Sequence, residues 1–187
     1  MKKIIIVALT FLLISVSSFA EPFVRTEHGV SIKVNSINVE IQFYGSSIVR
    51  VIKSPQGKNV EKESLSVVKI PEKVNFNILQ SKDELLINNK SVEVVISLEN
   101  GKVTFKNTKG DIFLVEKENG SSFTDFDDAG VKTYSVSQSY ILEQDEAIYG
   151  LGILQNGKMS QRNQEVRMVQ NNTWDFVTFF QSVKGYG

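Results

Sequence analysis
Apolar side chains recur at every second position in short runs from Phe23 to about Tyr149, and no helix-period stripe of about ten residues interrupts them. A period of two sends successive side chains to opposite faces of a strand, so most of the chain is committed to half-buried strands. Ile32 and Val34 share one face; after Asn35-Ser36 the phase resets, and Ile37, Val39, Ile41 and Phe43 share another. Such a reset marks a tight turn. Gly45-Ser46-Ser47 breaks the next pair of strands, and β character resumes at Ile48 until Ser54-Pro55-Gln56-Gly57. There proline withholds a ladder donor and glycine relaxes the backbone.

Residues 58–72 mix charge with the apolar run Leu65 to Val68, and Pro71 ends them. Val74, Phe76 and Ile78 then alternate, as do Leu85 and Ile87, and Val92, Val94, Ile96 and Leu98, with turns at 80–83 and 88–90. Asn100-Gly101 predicts a hairpin, since both residues tolerate the positive φ of a type I′ turn. Residues 103–105 and 112–115 extend this antiparallel meander, which Asn119-Gly120 is expected to close. Residues 121–130 read as a solvated loop held by Phe123 and Phe126. Asp125, Asp127 and Asp128 invite a calcium reading, but the glycine and glutamate of an EF-hand loop do not follow at the required spacing. Tyr134, Val136, Tyr140 and Leu142 restore the alternation up to a polar turn at Gln144-Asp145-Glu146. Many short strands joined this way argue an all-β fold, an antiparallel β-sandwich with no internal repeat, linker or domain boundary.

Residues 1–20 are set apart as a signal peptide. Lys2 and Lys3 start them, residues 4–14 are almost wholly apolar, and Ser18-Phe19-Ala20 offers small residues for cleavage. The apolar part is too short for a comfortable membrane span. The expectation is export to the periplasm or beyond the cell, with no membrane attachment after cleavage and a sandwich domain over residues 21–187. Cleavage after Ala20 leaves 167 of the 187 residues, enough for one sizeable core. Two of the 21 basic side chains fall in the leader and none of the 21 acidic ones, leaving 19 against 21. A chain so balanced has no electrostatic footprint for nucleic acid. Absence of cysteine excludes disulfides, thiolate metal sites and cysteine nucleophiles. The one histidine, His28, cannot build a multi-histidine metal site and, between Glu27 and Gly29, reads as an exposed turn residue. No metal and no other cofactor is implied.

The chain changes character at Tyr149. Glycines, amides, aromatics and the only tryptophan cluster from there to Gly187. Gly150 and Gly152, two apart at a strand end, allow a bulge or a close backbone approach. They form no phosphate cradle, because no lysine, serine or further glycine follows at the needed spacing.

Tyr149-Gly150-Leu151-Gly152, Gln155-Asn156-Gly157-Lys158, Gln170-Asn171-Asn172-Thr173-Trp174-Asp175, Phe179-Phe180 and Gly185-Tyr186-Gly187 occur in an order and spacing that resemble the N-terminal domain of glycoside hydrolase family 31. Residues 30–34, 48–51 and 63–67 are similar to its opening strands. Thr178 departs from the pattern, standing where many relatives carry a proline. The resemblance implies a galactose-mutarotase-like sandwich packed on a (β/α)₈ barrel, within α-glucosidases, α-xylosidases or transglycosylases. It also implies that the two catalytic aspartates, which in retaining cleavage stand about 5 Å apart, lie on the barrel beyond Gly187. No residue here is therefore assigned a catalytic role, and the chain is expected to be truncated before the barrel, its domain incomplete at the C-terminal end.

By the same resemblance one N-terminal loop reaches the rim of the sugar pocket, and residues 171–175 are the candidate. Trp174 either stacks on a ring of an α-linked oligosaccharide, with Asn172 and Asp175 bonding to hydroxyls, or packs at the domain interface while Asp175 ends a strand. A free-standing secreted carbohydrate-binding sandwich is the alternative, disfavoured by the single tryptophan. An aldose epimerase sharing the fold fares worse, given one histidine.

Overall fold
The computed structural model describes residues 23–58 and 64–187, so the expected signal peptide lies outside the described residues. Strands β1 (Phe23–Arg25), β2 (Gly29–Val34), β3 (Ile37–Gly45) and β4 (Ile48–Pro55) form a four-stranded antiparallel meander. Val34 faces Ile37 across Asn35-Ser36, Ile32 faces Val39 and Val30 faces Ile41, so both apolar sets share one face of the sheet. That face is closed to solvent: Val30, Val39, Ile41 and Phe43 are 0% exposed. A slip of one residue would turn the whole set outward, which fixes the register.

Strands β5 (Asn77–Gln80), β6 (Glu84–Asn88), β7 (Glu93–Ser97), β8 (Val103–Lys106), β9 (Ile112–Asp128) and β10 (Val131–Ile141) pair in sequence order as a second antiparallel sheet. Leu85, Ile87, Val94, Ile96 and Val103 join the buried face of the first sheet in one apolar cluster. The molecule is thus a sandwich of two meanders. Phe76, on the connection between them, closes one side: its ring lies 5.3 Å from that of Phe43 and 4.2 Å beneath the Arg25 guanidinium. The run 65–68 joins neither sheet, and Leu65 and Val68 stand exposed.

Two turns differ from the sequence reading. Asn100-Gly101 belongs to a four-residue loop, not a two-residue type I′ turn. Gly101 alone takes a positive φ, 72°, and its N–H donates to the Ser97 carbonyl at 2.9 Å. Asn100 instead spends its side chain on the Lys102 N–H at 3.0 Å, an Asx arrangement that competes with the left-handed backbone.

Asn119-Gly120 does not close the meander either. Ser121 pairs with Gln138 and Glu116 with Tyr140, so residues 117–120 loop out opposite Ser139 alone and β9 continues to Asp128. Asn119, at φ 51°, allows that bulge. The hairpin turns at Ala129-Gly130, whose φ values of 50° and 91° have the signs of type I′. Residues 121–128 are therefore strand, with Phe123 and Tyr134 edge to face across the ladder at 6.4 Å. His28, expected to be exposed, is half-buried, with its side chain 34% accessible and Nδ1 sealed with no partner among the described residues.

Candidate functional site
Strands β11 (Ile148–Ile153) and β12 (Asp175–Ser182) form a separate two-stranded antiparallel sheet that carries the candidate turn. Gly150 pairs with Phe180 and Gly152 with Phe176, which leaves Leu151 facing the three residues 177–179. Gly150, Leu151 and Gly152 all take positive φ, at 102°, 66° and 98°. The two glycines therefore make the bulge that their spacing suggested. Thr178 falls in the stretch without a ladder partner, where loss of an N–H through proline would break no pairing.

The turn ahead of β12 is shaped by two amides. Asn171 Oδ1 accepts the N–H groups of Thr173 and Trp174, both at 2.9 Å. The Gln170 side chain copies a strand partner: Nε2 donates to the Phe176 carbonyl at 3.1 Å and Oε1 accepts the Phe176 N–H at 2.8 Å. On this frame Trp174 is half-buried, its ring edge to face with Phe176 at 5.8 Å. Asn172 and Asp175 are exposed to either side in sequence, and Asp175 opens β12 opposite Ile153. One turn thus carries the ring, the amide and the carboxylate that the sequence singled out. Five clefts among the described residues are lined by other side chains, and the turn holds Asn172 and Asp175 at an exposed edge.

A carboxylate that the sequence did not single out anchors this sheet. Glu146, read as part of a polar turn, is 3% exposed. Its Oε1 accepts the hydroxyls of Ser182 and Tyr186, and its Oε2 the Glu143 N–H at 3.1 Å. Burial alone would raise its pKa, but these hydrogen bonds and the Lys184 charge outweigh it and hold the carboxyl below its ordinary value. Tyr186, desolvated and bonded to that carboxylate, is pushed up to about 12. Its ring packs on Phe113 of β9 at 5.6 Å and on Phe180 at 6.2 Å, which docks the small sheet on the sandwich. Nothing local separates Glu146 from Asp145, because its hydroxyl partners lie 36 and 40 residues further on.

Among the described residues no group of three or more His, Cys, Asp or Glu side chains is placed to hold a metal ion. Asp127 is engaged otherwise: it accepts the Gly130 N–H and the Lys132 ammonium, both at 2.6 Å, and so caps the hairpin turn.

A two-meander antiparallel sandwich with a docked, glycine-bulged hairpin defines an all-β domain of the galactose-mutarotase-like type. The chain belongs to the glycosyl hydrolase 31 N-terminal galactose mutarotase-like domain family, which it matches over residues 38–181. An α-xylosidase of Saccharolobus solfataricus is 28% identical over 165 residues, covering 83% of this chain and 22% of that protein. Alpha-glucosidase 2 of Bacillus thermoamyloliquefaciens is 30% identical over 102 residues, 54% of this chain and 13% of its own length. Among solved structures, the family 31 α-xylosidase of Xanthomonas citri superposes with a TM-score of 0.81 at 29% identity, over 85% of this chain and 18% of that one. A soil-metagenome α-xylosidase in complex with xylose shares the fold at a TM-score of 0.74 and 16% identity. The chain spans about a fifth of the length of the xylosidases it matches.

Proposed function
We propose that this sandwich is the non-catalytic N-terminal portion of an exported α-glycosidase that hydrolyses or transfers α-xylosyl or α-glucosyl groups. The observation that carries this reading is the asymmetry of the match to α-xylosidases, 83–85% of this chain against 18–22% of theirs. The sandwich supports a catalytic barrel outside this chain, and the turn at 171–175 lines the rim of the sugar pocket. Trp174 offers an aromatic face to a sugar ring, while Asn172 and Asp175 bond to hydroxyls. Exposed apolar side chains on the later strands fit a surface that meets another domain: Val131, Val136, Ile153, Val177 and Phe179 are each more than half exposed. Export is part of the same proposal, on the basic-apolar-small pattern of residues 1–20.

Two measurements test this. The purified chain should show no turnover of aryl α-glucosides or α-xylosides, and activity that survives rigorous purification sinks the non-catalytic assignment. In a longer protein that includes the barrel, Trp174→Ala should raise KM for an α-linked disaccharide about ten-fold, with kcat falling less; an unchanged KM removes the rim role.

A further inference from the structure
A second polar cluster sits between edge strand β4 and the β9–β10 hairpin and shares no residue with the 171–175 turn. Lys53 and Glu116 form an ion pair with side chains only 9% and 3% exposed. The Lys53 ammonium also donates to Ser121 Oγ at 3.0 Å, and Ser121 in turn donates to Gln138 Oε1. The β9 bulge creates this grouping. By looping out residues 117–120 it brings Glu116 and Ser121 together around one ammonium.

Taking an ammonium and a carboxylate out of water costs several kcal/mol per ion, and an apolar pair would close a sandwich edge as well or better. A buried pair kept here invites a functional account. Over it opens a cleft of about 280 Å³, walled on its apolar side by Phe123 and Tyr140. Among the described residues, both hydrogen bonds to the Glu116 carboxylate fall on Oε2, one of them from the Val103 N–H at 2.7 Å, and none of these residues occupies Oε1. Burial, and then the Glu116 charge, raise the Tyr140 pKa, so the field of that carboxylate reaches the cleft wall. The pair itself carries no net charge. That balance suits a neutral hydroxylated ligand and not a phosphate.

An apolar wall with a few convergent polar groups, near the ~300 Å³ lower limit of small-molecule sites, is what a single sugar ring requires. We propose that this cleft binds one neutral pyranose unit at a site separate from the rim turn. Phe123 and Tyr140 pack against the C–H face of the ring, Glu116 Oε1 accepts a ring hydroxyl, and Lys53 and Gln138 donate to others. This site does not depend on the rim role of Trp174.

Calorimetric titration of the full chain with glucose, xylose and maltotriose tests the proposal. The expected result is saturable 1:1 binding of at least one sugar, in the millimolar range or tighter. Tyr140→Ala should weaken it about ten-fold, equivalent to ~1.4 kcal/mol, while Lys82→Ala, at an exposed turn residue outside the cleft, leaves it unchanged. Gln138→Ala, a change at an exposed residue, provides a second variant should Tyr140→Ala fail to fold. The proposal is overturned if none of the three sugars binds saturably, if binding is insensitive to the cleft variants, if it is lost in Trp174→Ala, or if inorganic phosphate displaces the sugar.

Discussion

A Cβ on Gly152 would stand 2.0 Å from the carbonyl oxygen of Asp175. The two backbones touch where β12 leaves the 171–175 turn, and Gly152 at φ 98° adopts a conformation that L residues avoid. Gly152→Ala must therefore push the strand or the turn aside. The expected cost is about 2 kcal/mol or more, read as a lowered melting temperature. The turn should shift with it, moving the emission of Trp174, the only tryptophan. A variant with unchanged melt and spectrum would show that the bulge yields freely.

Glu146 makes the small sheet acid-sensitive. Its folded-state pKa lies below the ordinary value of 4.5, because hydrogen bonds and Lys184 outweigh burial. In that case the folded state favours the carboxylate. Its stabilisation is present above about pH 4.5 and is lost as pH falls through the lowered folded value. Tyr186 acts at the other end: raised from 10.0 to about 12, it stabilises fully below pH 10 and loses that contribution as pH climbs toward 12. Glu146→Ala leaves the Ser182 and Tyr186 hydroxyls without their acceptor and should cost about 2–3 kcal/mol. Denaturant unfolding from pH 3 to 7 checks the sign: the variant should show a shallower acid-side slope than the parent chain, and an equal slope in both contradicts the assignment.

The Lys53–Glu116 pair should show strong non-additivity. Lys53→Met alone strands a buried carboxylate, for which a cost of about 3–5 kcal/mol is expected. Lys53→Met with Glu116→Leu removes both charges and should be much less destabilising than the two single losses summed. Chemical denaturation of the four chains in a double-mutant cycle measures this, and simple additivity would mean that the two groups do not interact. The same double variant should lose saccharide binding at the cleft even where its fold survives.

The strands of the core were legible because their signal is local. Val30, Ile32, Val39 and Ile41 alternate within single strands, and that alternation alone places them inside. The glycine bulge was legible for the same reason, since Gly150 and Gly152 lie two apart in sequence. Glu146 and the Lys53–Glu116 pair were not. Their side-chain partners are 36 to 68 residues away, so only the assembled sheets reveal that these charges are buried. Asn119-Gly120 misled because a left-handed asparagine before glycine serves a bulge as well as a turn, and only the pairing of the strand beyond it distinguishes the two.

The true hairpin turn carries the less suitable residue, which gives the last prediction. Ala129 sits at φ 50° and Gly130 at φ 91°. An alanine in the left-handed region costs roughly 1–2 kcal/mol, whereas asparagine visits that region readily. The Asp127 side chain bonds to the Gly130 N–H and so already braces the turn without relying on residue 129. Ala129→Asn should therefore relieve backbone strain while leaving the ladder from Asp128–Val131 onward in place. The expected gain is about 0.5–1 kcal/mol, with hydrogen exchange slowing along the outer hairpin. Ala129→Val, β-branched and still less tolerant of positive φ, should move both readouts the opposite way. If asparagine and valine shift stability in the same direction, the turn is not the type I′ arrangement described.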